Sequence, residues 1–227
     1  MATQTSTATL SDLRTRVRQR ADMVDSDFVT DAELTTYIQQ SYRRLYNLII
    51  TTFSDWYVDD PVEFTIASGS NTYTLPATFY KLIAVDFKLN GEWVEVRRYT
   101  MTERNRRTNG AWRIFHPTNM YRLMNGKLRF IPTDNAQGTY RYWAVSKPNI
   151  PTADSDTIEG ENGWDEFVVL DAAIKCLNKE ESDTTILQLE LAQVKEDILI
   201  NANSYDEGGS ERVEDVNADH WNNEDLF

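Results

Sequence analysis

Leu10, Leu13, Val17 and Ala21 recur at spacings of three and four, which predicts a short amphipathic helix over residues 10–22 begun by Thr9 or Ser11. Arg14, Arg16, Arg18 and Arg20 lie between them and are expected to face water or a partner. A sharper signal follows a polar loop. In Thr30-Asp31-Ala32-Glu33, Thr30 can cap the Glu33 amide while Glu33 reaches back to the Thr30 amide, so a long helix should begin there. Leu34, Tyr37, Ile38, Ser41, Leu45, Leu48, Ile49 and Thr52 keep the helical period. Tyr42, Tyr46, Ile50 and Phe53 widen the apolar arc, so this helix must bury more than one face.

The pattern changes at Asp59-Asp60-Pro61. Strand-forming residues follow, broken by turn signals at Ser68-Gly69-Ser70-Asn71, Asn90-Gly91, Asn109-Gly110, Asn125-Gly126 and Asn135 to Gly138. Asn-Gly tolerates the positive φ angles of a type I′ turn, which predicts two hairpins: Ile83 to Leu89 with Glu92 to Val96, and Tyr121 to Met124 with Lys127 to Ile131. A further strand, Thr139 to Val145, sets Tyr140, Tyr142 and Ala144 against Arg141, Trp143 and Val145. The basic stretch Thr102 to Thr108 reads as a short helix or loop between strands.

From Pro151 to Glu161 the chain is polar and acidic. Ten of the fourteen positions from Trp164 to Leu177 are then apolar, including Phe167, Val168, Val169, Leu170, Ala172, Ala173, Ile174 and Cys176, which predicts a helix buried on nearly every side. Asp183 can cap a last, partly exposed helix carrying Leu187, Leu191, Val194 and Ile198 and ending near Asn203, before Gly208-Gly209. Residues 210–227 are acidic and aperiodic, yet hold Val213, Val216, Trp221, Leu226 and Phe227.

An all-round apolar helix needs neighbours, and the wide arc of the second helix supplies one. The expected fold is therefore α+β. Two sequence-distant helical pairs make a four-helix bundle, a β-rich insertion separates helices two and three, and an extended tail follows. The expected divisions are 1–58 and 151–206 for the two halves of the bundle, 59–150 for the insertion and 207–227 for the tail.

Composition narrows the chemistry. No stretch approaches the ~18 apolar residues of a membrane span, and the polar, uncharged Met1 to Thr9 lacks the blocks of a secretion signal. A cytosolic origin with no membrane partner is expected. The single cysteine, Cys176, with only His116 and His220, allows no disulfide and no cysteine- or histidine-rich metal site, so neither metal nor cofactor is expected. The net charge of −13 is uneven: residues 1–60 hold 6 basic and 9 acidic groups, residues 61–150 hold 13 and 6, and residues 151–227 hold 4 and 21. So acidic a chain is a poor free-standing clamp for DNA, although a local basic face remains open to it.

Three constellations carry competing readings. Asp165-Glu166, beside Trp164 and Phe167, imitates the carboxylate pair of a glycan hydrolase, but acidic residues in the first turn of a helix also meet its dipole favourably. Nucleophile elbows and phosphate loops are absent, so no catalytic residue is assigned. Arg97, Arg98, Arg104, Arg106, Arg107, Arg113 and Arg122, interleaved with Tyr99, Trp112, Phe115 and Tyr121, have the composition of a nucleic-acid groove. The charge map fits better a basic surface that meets acidic surface on another protein chain. The tail is either a solubility device or a docking peptide, and its apolar anchors favour docking.

Leu13-Arg14-x-Arg16-Val17-Arg18, with Thr30-Asp31-Ala32-Glu33-Leu34-x-x-Tyr37-Ile38-x-x-Ser41-Tyr42-Arg43-x-Leu45-Tyr46, resembles the start of tailed-bacteriophage head-to-tail adaptor proteins. So does Tyr73-x-Leu75-Pro76-x-x-Phe79-x-Lys81-Leu82 in the insertion. Gly163-Trp164-Asp165-Glu166-Phe167-Val168-Val169-x-Asp171-Ala172-Ala173-Ile174-Lys175, followed by Lys179-Glu180-Glu181-Ser182-Asp183, is similar to their second helical pair. The likeness covers most of the chain and rests on packing and capping residues. It implies a non-enzymatic virion protein, made in the bacterial cytoplasm, that forms a ring of about twelve copies beneath the portal. Such a ring extends the channel for double-stranded DNA, which passes without specific binding, and carries the tail. The resemblance also implies that the C-terminal extension reaches into the portal protein, which in this chain would use Val213, Val216, Trp221, Leu226 and Phe227. Arg97, Arg98, Arg104, Arg106, Arg107 and Arg113 would meet neighbouring copies or tail and nozzle proteins, and the insertion could also meet tail fibres. A peptidoglycan hydrolase using Glu166 or Asp165, and a DNA-binding module using the basic insertion, are the rival readings.

Overall fold

The computed structural model describes residues 5–24, 28–53, 57–104, 119–132, 136–159 and 163–203. Helices α1 (Leu10–Arg20) and α2 (Asp31–Thr52) both begin on a capping box. Thr9 Oγ1 accepts the Asp12 amide at 3.2 Å, and Thr30 Oγ1 accepts the Glu33 amide at 3.3 Å. In return each carboxylate accepts the amide of its cap residue, at 3.2 and 3.0 Å. Helix α3 (Asp165–Glu180) ends on Glu181 in the left-handed conformation. Helix α4 (Thr185–Asn203) starts where the Asp183 carboxylate accepts the Thr185 amide at 3.0 Å and its hydroxyl at 2.6 Å.

Helix α3 packs against α1, α2 and α4. Phe167, Val168, Val169, Ala172, Ala173 and Cys176 share one core with Leu13 and Val17 of α1, Leu34, Ile38, Leu45 and Ile49 of α2, and Ile198 of α4. Sequence-distant helical segments thus bury a common apolar surface. Fully burying one Leu or Ile contributes about 2 kcal/mol, against well under about 1 kcal/mol for an exposed ion pair. The core therefore stabilises the helices, and the charged pairs around it set their register.

Two polar residues sit inside this core. Asp171 of α3 is only 2% exposed, and its carboxylate takes Lys175 Nζ at 2.8 Å together with the Arg44 guanidinium of α2. Lys175 also donates to Ser41 Oγ at 2.7 Å, and Ser41 donates to the Tyr37 carbonyl at 2.8 Å. The network ties the middle of α2 to the middle of α3. At the other end of the pair, Lys179 of α3 bridges to Glu33 of α2 at 2.9 Å.

The strands form three sheets. The chain before α1 and the chain before α3 pair as β1 (Thr5–Thr9) and β10 (Thr157–Glu159), antiparallel. Both are short: β10 alternates only over Thr157-Ile158-Glu159, with Ile158 buried, and β1 is a run of Thr, Ser and Ala. They pair because α1 lies on α3, which brings their leading segments side by side, and Leu10 N–H then donates to the Asp156 carbonyl at 2.8 Å.

The insertion supplies two four-stranded sheets. One runs β2 (Val62–Ile66), β9 (Gly138–Ser146), β4 (Phe79–Leu89), β5 (Glu92–Glu95), all antiparallel. The other runs β3 (Thr72–Thr74), β8 (Lys127–Ile131), β7 (Met120–Met124), β6 (Arg97–Arg98), with β6 parallel to β7. Both expected hairpins form, with φ of 52° and 94° at Asn90-Gly91 and 50° and 67° at Asn125-Gly126, the positive values a type I′ turn requires. Phe64, Val85, Tyr140 and Tyr142 of the first sheet and Leu128 and Phe130 of the second fill one core. The Tyr140 hydroxyl donates to the Ala136 carbonyl at 2.9 Å, and burial pushes its pKa up to about 12. Gly138 lies so close to Phe87 that a Cβ there would stand 2.5 Å from the ring. The basic stretch becomes a single 3-10 turn, Met101–Glu103; its continuation and the Asn109-Gly110 turn lie outside the described residues.

The sheets are fastened to the helices through β9. Val145 enters the helical core, Tyr46 of α2 donates to the Ser146 carbonyl at 2.6 Å, and Tyr46 stacks on Tyr57 at 4.6 Å. Lys81 of β4 donates to the Ile50 carbonyl at 3.3 Å.

Asp171→Ala would strand Lys175 in the interior and should lower stability by about 3 kcal/mol, read from equilibrium denaturant unfolding. The Lys179 ammonium, helped by the Thr30 amide and hydroxyl, lowers the pKa of Glu33 from 4.5 to about 2. A carboxylate depressed on folding stabilises fully above its unfolded pKa and loses that contribution as the pH falls through the folded one. Between pH 4.5 and 2 the denaturation midpoint of Glu33→Gln should therefore fall less steeply than that of the wild type.

Candidate assembly surfaces

The α1 arginines, expected to face water or a partner, instead clamp carboxylates of their own chain. Arg14 pairs with Asp154, Arg18 with Asp31 at 2.9 Å, Arg16 with Asp165 and with Glu166 at 2.8 Å, and Arg20 with Glu166 at 2.9 Å and Glu190 at 3.4 Å. Burial opposes the charge of Arg16, but its bonds to Asp165 and Glu166 outweigh that and raise its pKa. Asp165 and Glu166 stand in the first turn of α3, where the dipole favours them, and Asp165 also accepts the Gly163 amide at 3.1 Å. Their oxygens are engaged with guanidinium and amide groups, so the pair clamps α1 to α3.

Tyr99 and Tyr121, which the sequence interleaves with arginines, are 2% and 8% exposed. They belong to the cores and offer no stacking platform to bases. Arg97 and Arg98 stand exposed on β6, and Arg104 is exposed with its guanidinium donating to the Met101 carbonyl at 2.6 Å. Arg106, Arg107 and Arg113, with Trp112 and Phe115, lie outside the described residues.

The structure adds two cations that sequence reasoning did not single out. Lys127 and Arg129 are exposed on β8, next to the buried Leu128 and Phe130, and Arg129 stands opposite Arg122 of β7. The alternation of Lys127-Leu128-Arg129-Phe130 was the signal that could have found them. Strands β3, β6, β7 and β8 together carry Arg97, Arg98, Arg122, Lys127 and Arg129 and contain neither Asp nor Glu. Among the described residues none of these five pairs with a carboxylate. Like charges facing across strands repel, so this basic face is uncompensated within the described chain. On the other sheet the matching cation is satisfied: Arg141 bonds Asp86 at 2.6 Å and lies 4.5 Å from the Trp93 ring and 5.2 Å from the Trp143 ring.

Helix α4 buries Ile198 and tucks Leu187, Leu191 and Val194 against the core, as its period predicts. Its opposite side is also apolar. Ile186 is 71% exposed, Leu189 69% and Ile200 59%, with Glu196 and Asp197 exposed between and beside them. A cleft of about 340 Å³ runs along the α2 flank of the helix, lined by Arg44, Leu48, Phe167, Gln188, Leu191 and Lys195. The anchors Val213, Val216, Trp221, Leu226 and Phe227 lie outside the described residues.

Among the described residues no group of three His, Cys, Asp or Glu side chains could hold a metal ion, and no helix is long and apolar enough to cross a membrane. Cys176 is buried in the helical core, which pushes its thiol up to about 11 and away from nucleophilic use.

No curated protein matches the sequence. A family model does, from residue 8 to residue 207, which takes in α1 to α4 and both four-stranded sheets of the described residues. With the resemblance carried by its capping and packing residues, this match shows that the chain belongs to the SU10 adaptor protein family and is a bacteriophage adaptor, a structural protein.

Proposed function

We propose that this adaptor works by assembly at the head-to-tail junction, as a ring of about twelve copies that continues the DNA channel from portal to tail. The observation that carries this reading is the uncompensated surface of the chain: a sheet face of cations without carboxylates and a helix face of exposed Ile186, Leu189 and Ile200. Such surfaces are costly in an isolated protein and are the usual mark of contact with partners. The four helices, arranged as a bundle from residues 1–58 and 151–206, form the ring wall, and residues 59–150 project from it as a separate insertion. The net charge of −13 keeps the passing duplex from sticking.

The segment 207–227 docks on the portal protein through Val213, Val216, Trp221, Leu226 and Phe227, since a stretch too polar to collapse alone has little use for such side chains unless a partner buries them. Arg97, Arg98, Arg104, Arg106, Arg107 and Arg113 face neighbouring copies or tail, nozzle and fibre proteins, whose carboxylates they pair with. The free protein is monomeric until the portal templates the ring, and the functional location is the virion.

Deleting residues 208–227, or replacing Trp221, Leu226 and Phe227 by Ala in the full chain, should abolish capture by immobilised portal protein while leaving the helical circular dichroism unchanged. Undiminished capture refutes the docking role. The hydrolase alternative makes the opposite forecast for another variant. In a peptidoglycan zymogram neither the wild type nor Glu166→Gln should clear the gel, and Glu166→Gln should only loosen the α1 to α3 clamp, by about 1 kcal/mol in denaturant unfolding. A cleared zone that the substitution removes would make the chain an enzyme.

A further inference from the structure

The two unusual surfaces of the described chain are complementary to one another. On α4, residues 186, 189, 193, 196 and 200 follow spacings of three and four and so share one side of the helix, the side turned from the core. That strip reads Ile186, Leu189, Gln193, Glu196, Ile200. Around it stand the exposed carboxylates of Asp197 and, at the end of α3 and in the turn that follows it, Glu180 and Glu181. Among the described residues none of Glu180, Glu181, Glu196 and Asp197 forms an ion pair. Lys195 lies on the flank facing α2, where it lines the cleft. The strip is apolar and acidic.

The outer face of the β3-β8-β7-β6 sheet has the opposite character. Arg97, Lys127 and Arg129 are exposed, Arg122 is half-buried with its guanidinium donating to the Tyr99 carbonyl at 3.2 Å, and Thr72, Thr74 and Met124 supply methyl surface between them. β7 and β8 run five residues each, about 17 Å at ~3.4 Å per residue, while β3 has three and β6 two, and at the β6 end of this face Met120 and Ile131 are buried with Tyr99. The α4 strip, at 1.5 Å rise per residue, is about 21 Å long, comparable to the length of β7 and β8.

We propose that the α4 strip of one copy seats on this basic sheet face of the next copy, so that Glu196, Asp197 and Glu181 meet Lys127, Arg129 and Arg97 around an apolar seam of Ile186, Leu189 and Ile200. The inference rests on the ring reading above and names its joint. The two patches are different surfaces of one chain, so the contact is heterologous: each copy leaves one patch of each kind open, and the series ends only when it closes on itself. The apolar seam holds the contact, and the charge pairs fix its direction and exclude the reversed pairing.

A charge exchange in the full-length chain tests this. One variant carries Lys127→Glu with Arg129→Glu, the other Glu196→Lys with Asp197→Lys, all at exposed positions where circular dichroism should not change. Each is mixed with portal protein, and rings are scored by electron microscopy and sedimentation. Each variant alone should assemble at least tenfold less than the wild type. An equimolar mixture should restore rings of alternating composition, because the reversed sheet then meets a reversed helix. In wild-type rings built from isotopically mixed protein, a carbodiimide should join Lys127 to Glu196, Asp197 or Glu181 of a different copy. Wild-type rings with both variants assembling normally, or a mixture that fails to recover, would overturn this joint and leave the ring. A wild type that forms no ring with the portal would overturn both. If duplex DNA at about 0.05 M salt is bound by the wild type and not by the sheet variant, while ring formation is unaffected, the basic face belongs to DNA and the proposal is wrong.

Discussion

A helix that is apolar around its whole circumference has to be enclosed, and α3 imposes that constraint on this protein. Water cannot cover any side of Phe167 to Cys176 without a penalty of about 2 kcal/mol for each large residue left exposed. Three other helices therefore have to gather around it, although more than a hundred residues separate α1 from α3 in the chain. Everything between α2 and α3 must leave and return at fixed points. The β sheets are accordingly an excursion whose two ends are held by the helical core, at Tyr57 and Val58 on the way out and at Val145 and Ser146 on the way back.

The charged groups divide by what surrounds them. Where two elements meet, opposite charges meet with them: Asp171 with Arg44 and Lys175, Glu33 with Lys179, and Asp165 and Glu166 with Arg16 and Arg20. A buried charge that lost its partner would cost several kcal/mol, so these pairs make wrong registers between helices expensive. Among the described residues Glu196 and Asp197 on α4 and the cations of β6, β7 and β8 form no ion pair, and on α4 the carboxylates stand beside exposed Ile186 and Leu189.

The sequence was most legible where one residue's chemistry dictates a local conformation. Thr30 and Glu33 place the start of α2, Asp183 the start of α4, and the two Asn-Gly pairs their hairpins, because each of these acts over four residues or fewer. The candidate surfaces were less legible. The arginines of α1 read as a free polar face, and only the position of α3 turned them into a clamp. Tyr99 and Tyr121 read as stacking groups and are core. Lys127 and Arg129 were visible in the alternation of their strand, but nothing local says that the basic strands β6, β7 and β8 lie side by side or that no acidic residue interrupts them.

Taken alone, the order of residues determined the helices, their caps, the hairpins, the all-round burial of the third helix and the division of charge along the chain. These follow from periodicity and from hydrogen bonds between near neighbours, which need no knowledge of what else is nearby. Tertiary structure decided which charges cancel and which remain, that the short segments β1 and β10 pair, and that α4 keeps a second apolar side in water. Each of those depends on contacts between residues distant in the chain, and the energy of such a contact has no trace in the identity of either residue until packing brings them together.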